Sequence, residues 1–329
     1  MTVMKGAPTI GQEPGQSRED LLELRDEVRA EVAKVVIGHT EAVDLLLIAA
    51  IAGGHVLLEG PPGVAKTLLA GSLARALGVQ FTRMQFTPDT SPADLTGVST
   101  TKMGEKVFMP GAVFTNVLLA DEINRTQPRT QAALLEAMQE HHVTVDGRIH
   151  WLPAPFIVVA TQNPFEYEGV FALPESQLDR FLFKVVVDYP TAADELRMLD
   201  LPHRGVTPDM LEDIRPLLDA GRLDRLQREI DGTRVPSDVA RLVVEVVRRT
   251  RSLPDVTLGA SPRATMHLLT AAKASARLAG RDAVAAEDVG GMAGPVLAHR
   301  IIASHVAGDQ VVRDALRAAV DELVTAGPA

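Results

Sequence analysis

The stretch GPPGVAKT at residues 60–67 nearly matches the phosphate-binding pattern G-x-x-x-x-G-K-S/T, with Ala65 where the pattern asks for glycine. An apolar stretch, HVLLE, leads into it and a helical one, KTLLAGSLARAL, follows. In that setting backbone N–H groups and a helix N-terminus converge on phosphate oxygens. Gly60, Pro61, Pro62, Gly63, Val64, Ala65, Lys66, Thr67 and Leu68 are therefore assigned to nucleotide binding. Lys66 would reach the β- and γ-phosphates, and the Thr67 hydroxyl would ligate Mg2+. Position 65 opens the helix, so Ala65 is expected to take right-handed helical dihedrals; a left-handed alanine would cost about 1–2 kcal/mol.

Four later stretches add groups that act on a phosphate. NVLLADE, 116–122, is an apolar run ending in two carboxylates, which are costly to bury without a cation or water. Asp121 would hold Mg2+ through its water shell, and Glu122 would act as general base on the attacking water. FIVVATQNP, 156–164, ends at Asn163, whose amide can donate to a γ-phosphate and accept from water; an Asn-Pro turn is the competing reading. ESQLDRFLF places Arg180 just before another strand, and GASPR places Arg263 at a helix start. Single arginines are also commonly solvated or paired with carboxylates.

Positioning these groups requires short strands alternating with helices. Strands are expected at His55–Glu59, Phe81–Phe86, Asn116–Ala120, Phe156–Ala160 and Phe181–Val187, the pattern of a three-layer α/β domain around a five-stranded, largely parallel sheet. Two stretches break the alternation and read as inserted hairpins, at about 97–113 and 143–152. The second contains Asp146-Gly147, a pair suited to a tight turn with positive φ at both residues. After Asp188-Tyr189-Pro190 the chain turns helical, with Pro262 at a first helical position and Gly280 closing that helix. The expected division is a flexible tail over 1–17, an α/β core over 18–190, a linker over 191–206 and an all-helical domain over 207–329.

Composition narrows the functional class. The 329 residues are 46% hydrophobic and 23% charged, enough for two cored domains, and no apolar run approaches the roughly 18 residues needed to span a bilayer. The N-terminus lacks the apolar core of a secretory signal, which points to the cytoplasm. Cysteine is absent, and the nine histidines show no ligand spacing; His141-His142 reads as a solvated helix end. A net charge of −10 argues against nucleic acid as the main partner, although a local basic patch can overcome it.

Taken together, GPPGVAKT, LLADE, ATQNP, QLDRF and GASPR follow the order of a AAA+ ATPase. More specifically, VVIGHTEAVDLLLIAAIAGGHVLLEGPPGVAKT, DEINRTQPRTQAALLEAMQEHHVTVDG and VATQNPFEYEGVFALPESQLDRFLF resemble the MoxR family, over about residues 20–300. The resemblance implies a P-loop αβα core with a smaller all-α lid, and an enzyme that hydrolyses ATP with Mg2+. Lys66 and Thr67 then match Walker A, Asp121 and Glu122 Walker B, Asn163 sensor 1, Arg180 the arginine finger and Arg263 sensor 2. An arginine finger serves a neighbouring subunit, so the resemblance implies a ring, a homo-hexamer; Arg263 could act in its own subunit or across the interface.

Val36, Ile37 and Gly38 match the segment that packs on adenine, or else form a hydrophobic loop entering the core. Arg125 either reaches a phosphate across the interface or pairs with a nearby acid. The hairpins match the helix-2 insert and the pre-sensor-1 hairpin, which could project toward the ring centre or only cover the sheet. The function implied is a chaperone-like ATPase acting with a protein partner that contains a von Willebrand factor A domain, in complex assembly or metal cofactor insertion. The alternative is a DNA-acting AAA+ motor, for which the hairpins offer Arg148, His150, Trp151, Lys102 and Lys106. Intact Glu122 argues against a nucleotide switch that does not hydrolyse.

Overall fold

The computed structural model describes residues 16–102, 104–165, 170–201, 208–304 and 309–326. Most of the tail expected over 1–17, residues 202–206 of the expected linker, Met103 in the first hairpin and part of the segment after Asn163 lie outside the described residues.

Helices α1 (Gln16–Val32) and α2 (Thr40–Ala52) precede strand β1 (Val56–Glu59), and the loop at 60–65 leads into α3 (Lys66–Ala76). Strand β2 (Phe81–Gln85), the short α4 (Pro92–Thr96) and the ribbon β3 (Val98–Lys102) and β4 (Glu105–Met109) follow. Next come β5 (Val117–Asp121), α5 (Pro128–Glu140), the ribbon β6 (His142–Val145) and β7 (Arg148–Trp151), β8 (Ile157–Gln162), α6 (Glu175–Leu178) and β9 (Phe183–Val186). The rest is helical: α7 (Ala192–Leu199) within the expected linker, α8 (Ala220–Asp231), α9 (Ser237–Arg249), α10 (Pro262–Leu278), α11 (Ala286–Leu297) and α12 (Asp309–Ala326). A small antiparallel pair, β10 (Val256–Leu258) and β11 (Ile302–Ala303), joins two of its loops. No helix among the described residues is long and apolar enough to cross a membrane.

The five expected strands form one parallel sheet in the order β2-β5-β8-β1-β9. Both faces are covered, as the continuous apolar runs require. Alternate residues serve opposite faces: Val56, Leu58, Val117, Leu119 and Val159 join α2, α3 and the C-terminal helices in one apolar cluster. Leu57, Leu118, Ala120 and Val158 join Phe86, α5 and Phe181 in the other. Because α8, α9, α10 and α11 share the first cluster with α2, the helical domain is packed onto one face of the sheet.

Both inserted hairpins form, as two-stranded ribbons separate from the main sheet. Asp146 and Gly147 have φ of 51° and 73°, the two positive values expected of that turn. The ribbons contact each other: Phe108 stacks on His150 with ring centroids 3.8 Å apart, and Lys106 lies 3.6 Å from Asp146. His150, one of the residues that a DNA motor would turn outward, is engaged in this stack, whereas Lys106 stays exposed beside Asp146. Ile149 and Trp151 are exposed. His141 caps α5 with a left-handed φ of 53° and is exposed, as expected of a solvated helix end, but His142 corrects that reading: it is half-buried, opens β6 and packs edge-on against Trp151.

Strand β1 begins one residue later than expected, although the His55 carbonyl still accepts the Leu182 N–H at 2.7 Å, and the His55 side chain is buried at its start. Its Nδ1 accepts the Val158 N–H at 3.0 Å, so the proton sits on Nε2, which donates to the Met138 carbonyl at 3.1 Å. Burial pushes its pKa down to about 4 and holds the ring neutral. As pH falls below 6.5 the unfolded chain takes a proton that the folded chain refuses, so this residue removes on the order of 3 kcal/mol of stability by pH 4. In His55→Asn, which keeps an acceptor for Val158, thermal unfolding between pH 6.5 and 4.5 should show a flatter decline than in the parent; an unchanged slope would exclude this assignment.

Candidate functional site

At the C-terminal edge of the sheet, β1 runs into the loop at 60–65 and the ends of β5 and β8 lie beside it. The Gly60 N–H donates to the Gln162 carbonyl at 3.4 Å, tying the loop to β8. A Cβ at Gly60 would collide with the Val187 carbonyl, so only glycine fits. Beneath the loop, Glu59 accepts from Lys184 at 2.8 Å and from Gln162, cross-linking β9, β1 and β8. The Lys66 ammonium donates to the carbonyls of Gly60 and Pro61, the latter at 2.9 Å, and so folds back along the loop.

Ala65 corrects the sequence reading. Its φ is 63° and ψ 21°, left-handed, and not right-handed as expected. The helix starts one residue later, at Lys66, while the Ala65 carbonyl already accepts the Leu69 N–H at 2.8 Å. Position 65 is thus the turn into the helix and not its first residue. With Gly63 at φ 85°, it bends the chain so that loop N–H groups can face an anion. The pattern asks for glycine here because it needs positive φ, and this chain meets that need with strain.

The two acids at the end of β5 are held from β2. Arg83 donates to Asp121 Oδ2 from Nε at 3.0 Å and from Nη2 at 2.8 Å, and Gln85 Nε2 donates to Glu122 Oε2 at 2.7 Å. Arg125 Nε lies 2.9 Å from the same Glu122 oxygen, so Arg125 pairs with a nearby acid, the second of its two readings. Thr161 of β8 bridges the pair: its hydroxyl donates to Asp121 Oδ1 at 2.7 Å and accepts the Glu122 N–H at 2.8 Å. Glu122 itself is left-handed, φ 58°. Asn163, buried at the end of β8, accepts the Phe165 N–H at 3.1 Å and so also initiates the competing turn.

Sequence reasoning missed Arg83, Gln85 and Thr161. The available signal was the pair of polar residues, two apart, at the end of the β2 run FTRMQ.

Val36 and Ile37 are buried, Val36 within the main apolar cluster, and Gly38 has φ 90° beneath the Asp194 carboxylate. A cavity of about 250 Å3 opens there, lined by Ile37, Gly38, His39, Asp194 and Arg197. Burial lowers the His39 pKa, and Asp194 opposes the shift.

Arg180 and Arg263 are elsewhere. They share a cavity of about 230 Å3 with His55, His141 and His267. His55 precedes β1 and Arg180 precedes β9, so this cavity lies at the N-terminal edge of the sheet. The four residues of β1 put the two edges about 13 Å apart at about 3.3 Å per residue. Burial, and then the neighbouring Arg263, lowers the Arg180 pKa against the opposing charge of Glu136, and its Nε is buried without a partner. Burial also pushes His267 down to about 3, so neither His55 nor His267 adds charge near neutral pH. The two guanidiniums repel each other across a space that an anion would suit.

Residues 55–183 match the ATPase family associated with various cellular activities (AAA), and residues 248–319 match the AAA lid domain. The chain is 43% identical to chaperone MoxR1 of Mycobacterium tuberculosis, over 84% of this chain and 74% of that protein. It is 33% identical to protein MoxR of Paracoccus denitrificans, over 84% of this chain and 88% of that one. The chain belongs to the MoxR family of AAA+ ATPases. YeaC of Bacillus subtilis, an uncharacterized protein, is 45% identical over 87% of this chain and 89% of its own. A crystal structure of a candidate ATPase from Cytophaga hutchinsonii superposes with a TM-score of 0.81 at 36% identity, covering 93% of this chain and 98% of that one.

Membership of the MoxR family places the chain among nucleotide-binding proteins and agrees with the αβα core and helical lid described above. The strain at position 65 is testable within it. Glycine relieves a left-handed alanine worth about 1–2 kcal/mol and costs about 0.5–1 kcal/mol in chain entropy. Ala65→Gly should therefore raise stability by about 0.5–1 kcal/mol in chemical denaturation. A destabilised variant would show that residue 65 is not strained.

Proposed function

We propose that the chain hydrolyses ATP with Mg2+ at sites shared between subunits of a homo-hexameric ring, and that it works in the cytoplasm as a chaperone-like motor on a protein partner. One observation carries the shared site: Arg180 and Arg263 lie together, without an ion pair among the described residues, at the edge of the sheet opposite Lys66. Neither can serve the loop of its own chain across that sheet. Presented to a neighbouring copy, both would face its γ-phosphate, so Arg263 acts across the interface.

The chemistry follows from the donors. The strained loop and the folded-back Lys66 present N–H groups and an ammonium suited to phosphate oxygens. Thr67 and Asp121 would hold Mg2+, which neutralises phosphate charge when bound. Glu122, handed over from Gln85 and Arg125, accepts the proton of the attacking water, and Asn163 orients that water. Val36, Ile37 and Gly38 would border the adenine beside the 250 Å3 cavity.

A protein client is favoured by the acidic composition, by the stacking of His150 on Phe108 between the ribbons, and by the chaperone name of one relative. We assign the partner to proteins with a von Willebrand factor A domain, in complex assembly or metal cofactor insertion. Glu122→Gln should bind ATP and lose turnover by about 10²-fold or more. Arg180→Ala should lose about 10³-fold in kcat with ATP affinity retained. Equal turnover in either variant would remove the corresponding assignment. Glu122→Gln held in ATP should capture a von Willebrand-type protein; recovery of DNA or nuclease components would overturn the client reading.

A further inference from the structure

The guanidinium of Arg300 is buried, with the residue 7% exposed, and lies between the lid and the segment that carries Arg180. Its Nε donates to Asp179 Oδ1 at 2.9 Å. Its terminal nitrogens donate to the carbonyls of Asp179 at 3.1 Å, Phe181 at 2.5 Å and Leu182 at 3.3 Å, and to that of Val296. Nη2 also donates to His267 Nδ1 at 2.5 Å, which requires that ring nitrogen to be unprotonated. Burial pushes the Arg300 pKa down to about 10, opposed by Asp179, so the side chain stays charged near neutral pH.

The acceptors fall into two groups. Asp179, Phe181 and Leu182 flank Arg180 on both sides, so the backbone around Arg180 is pinned while its own side chain faces the cavity. His267 lies one helical turn after Arg263 on the same face of α10. Asp179 closes the circuit from the other end. Its carboxylate accepts the hydroxyl of Ser261, two residues before Arg263, at 3.1 and 3.0 Å. One buried cation and one carboxylate thus tie the Arg180 segment and the Arg263 helix together. The geometry needs arginine: a lysine concentrates its donors on one nitrogen and cannot span both groups of acceptors.

From this circuit we infer that Arg300 is a positioning residue, which with Asp179 sets Arg180 and Arg263 as a single two-cation unit for the phosphate of a neighbouring copy. The inference rests on the shared-site reading above. It also assigns the lid, at this contact, to the arginine-presenting edge and not to the phosphate loop of its own chain.

The test uses the full chain carrying Arg300→Lys or Asp179→Asn, with thermal unfolding, ATP affinity and kcat measured for each. Misplacing a reacting group by about an ångström costs about 10²-fold, so kcat should fall by that order in Arg300→Lys with ATP affinity unchanged. Asp179→Asn keeps an acceptor oxygen, so it should fall less, and it decides the matter if Arg300→Lys does not fold.

Each variant is then mixed with Lys66→Ala subunits, which cannot hydrolyse ATP but retain all three arginines. Turnover above the sum of the separate preparations is expected, because the intact loop of the Arg300 variant now meets correctly set arginines. A merely destabilised subunit would give no such recovery, and loss without recovery overturns the inference. Normal kcat in both folded variants, beside an impaired Arg180→Ala, overturns the inference alone. Normal kcat in Arg180→Ala overturns the shared site and the inference with it.

Discussion

The central strands of a parallel sheet covered on both faces have no room for unpaired charge, and this constraint organises the molecule. Val117, Leu118, Leu119 and Ala120 are fully buried, and polarity returns only at Asp121. Chemistry is therefore confined to the two edges where strands end. The C-terminal edge gathers the loop at 60–65, Asp121, Glu122 and Asn163; the N-terminal edge gathers His55, Arg180 and, through the lid, Arg263. The loop with its acids and the two arginines thus lie at opposite ends of one layer.

Within the C-terminal edge, the acids are already matched by cations and donors. Arg83 takes Asp121, Gln85 and Arg125 take Glu122, and Thr161 fixes both. Each contact lowers the cost of holding carboxylates side by side at the end of a buried strand. The opposite edge keeps an excess of positive charge, two guanidiniums against the Glu136 carboxylate that acts on Arg180, with His55 and His267 kept neutral by burial. That imbalance follows from the packing of α10 against the Arg180 segment, in which Arg300 is itself satisfied.

The sheet, the ribbons and the order of the site residues were legible because each depends on short-range pattern: apolar runs, an Asp-Gly turn, a glycine-rich loop before a helix. Ala65 was misread for a local reason, since one residue separates the turn from the helix it opens and propensity does not say on which side of that boundary it falls. Arg83 and Gln85 were invisible for a topological reason. They reach Asp121 and Glu122 only because β2 pairs with β5 across nearly forty residues of chain. Arg300 follows α11 in the ordinary sequence AHR, and nothing local distinguishes a helix-end arginine in water from one buried on three carbonyls of another domain.

The stack of Phe108 on His150 has a mechanical meaning. A two-stranded ribbon alone is a compliant element, but two ribbons joined by a ring stack and an ion pair resist bending together. The β6–β7 ribbon is anchored by two struts. Helix α5, about 20 Å long at 1.5 Å per residue, runs to it from just beyond Arg125, and β8 runs from it to Asn163. A load on exposed Trp151 is therefore carried along two struts to both flanks of Glu122 and not dissipated in a loose tip.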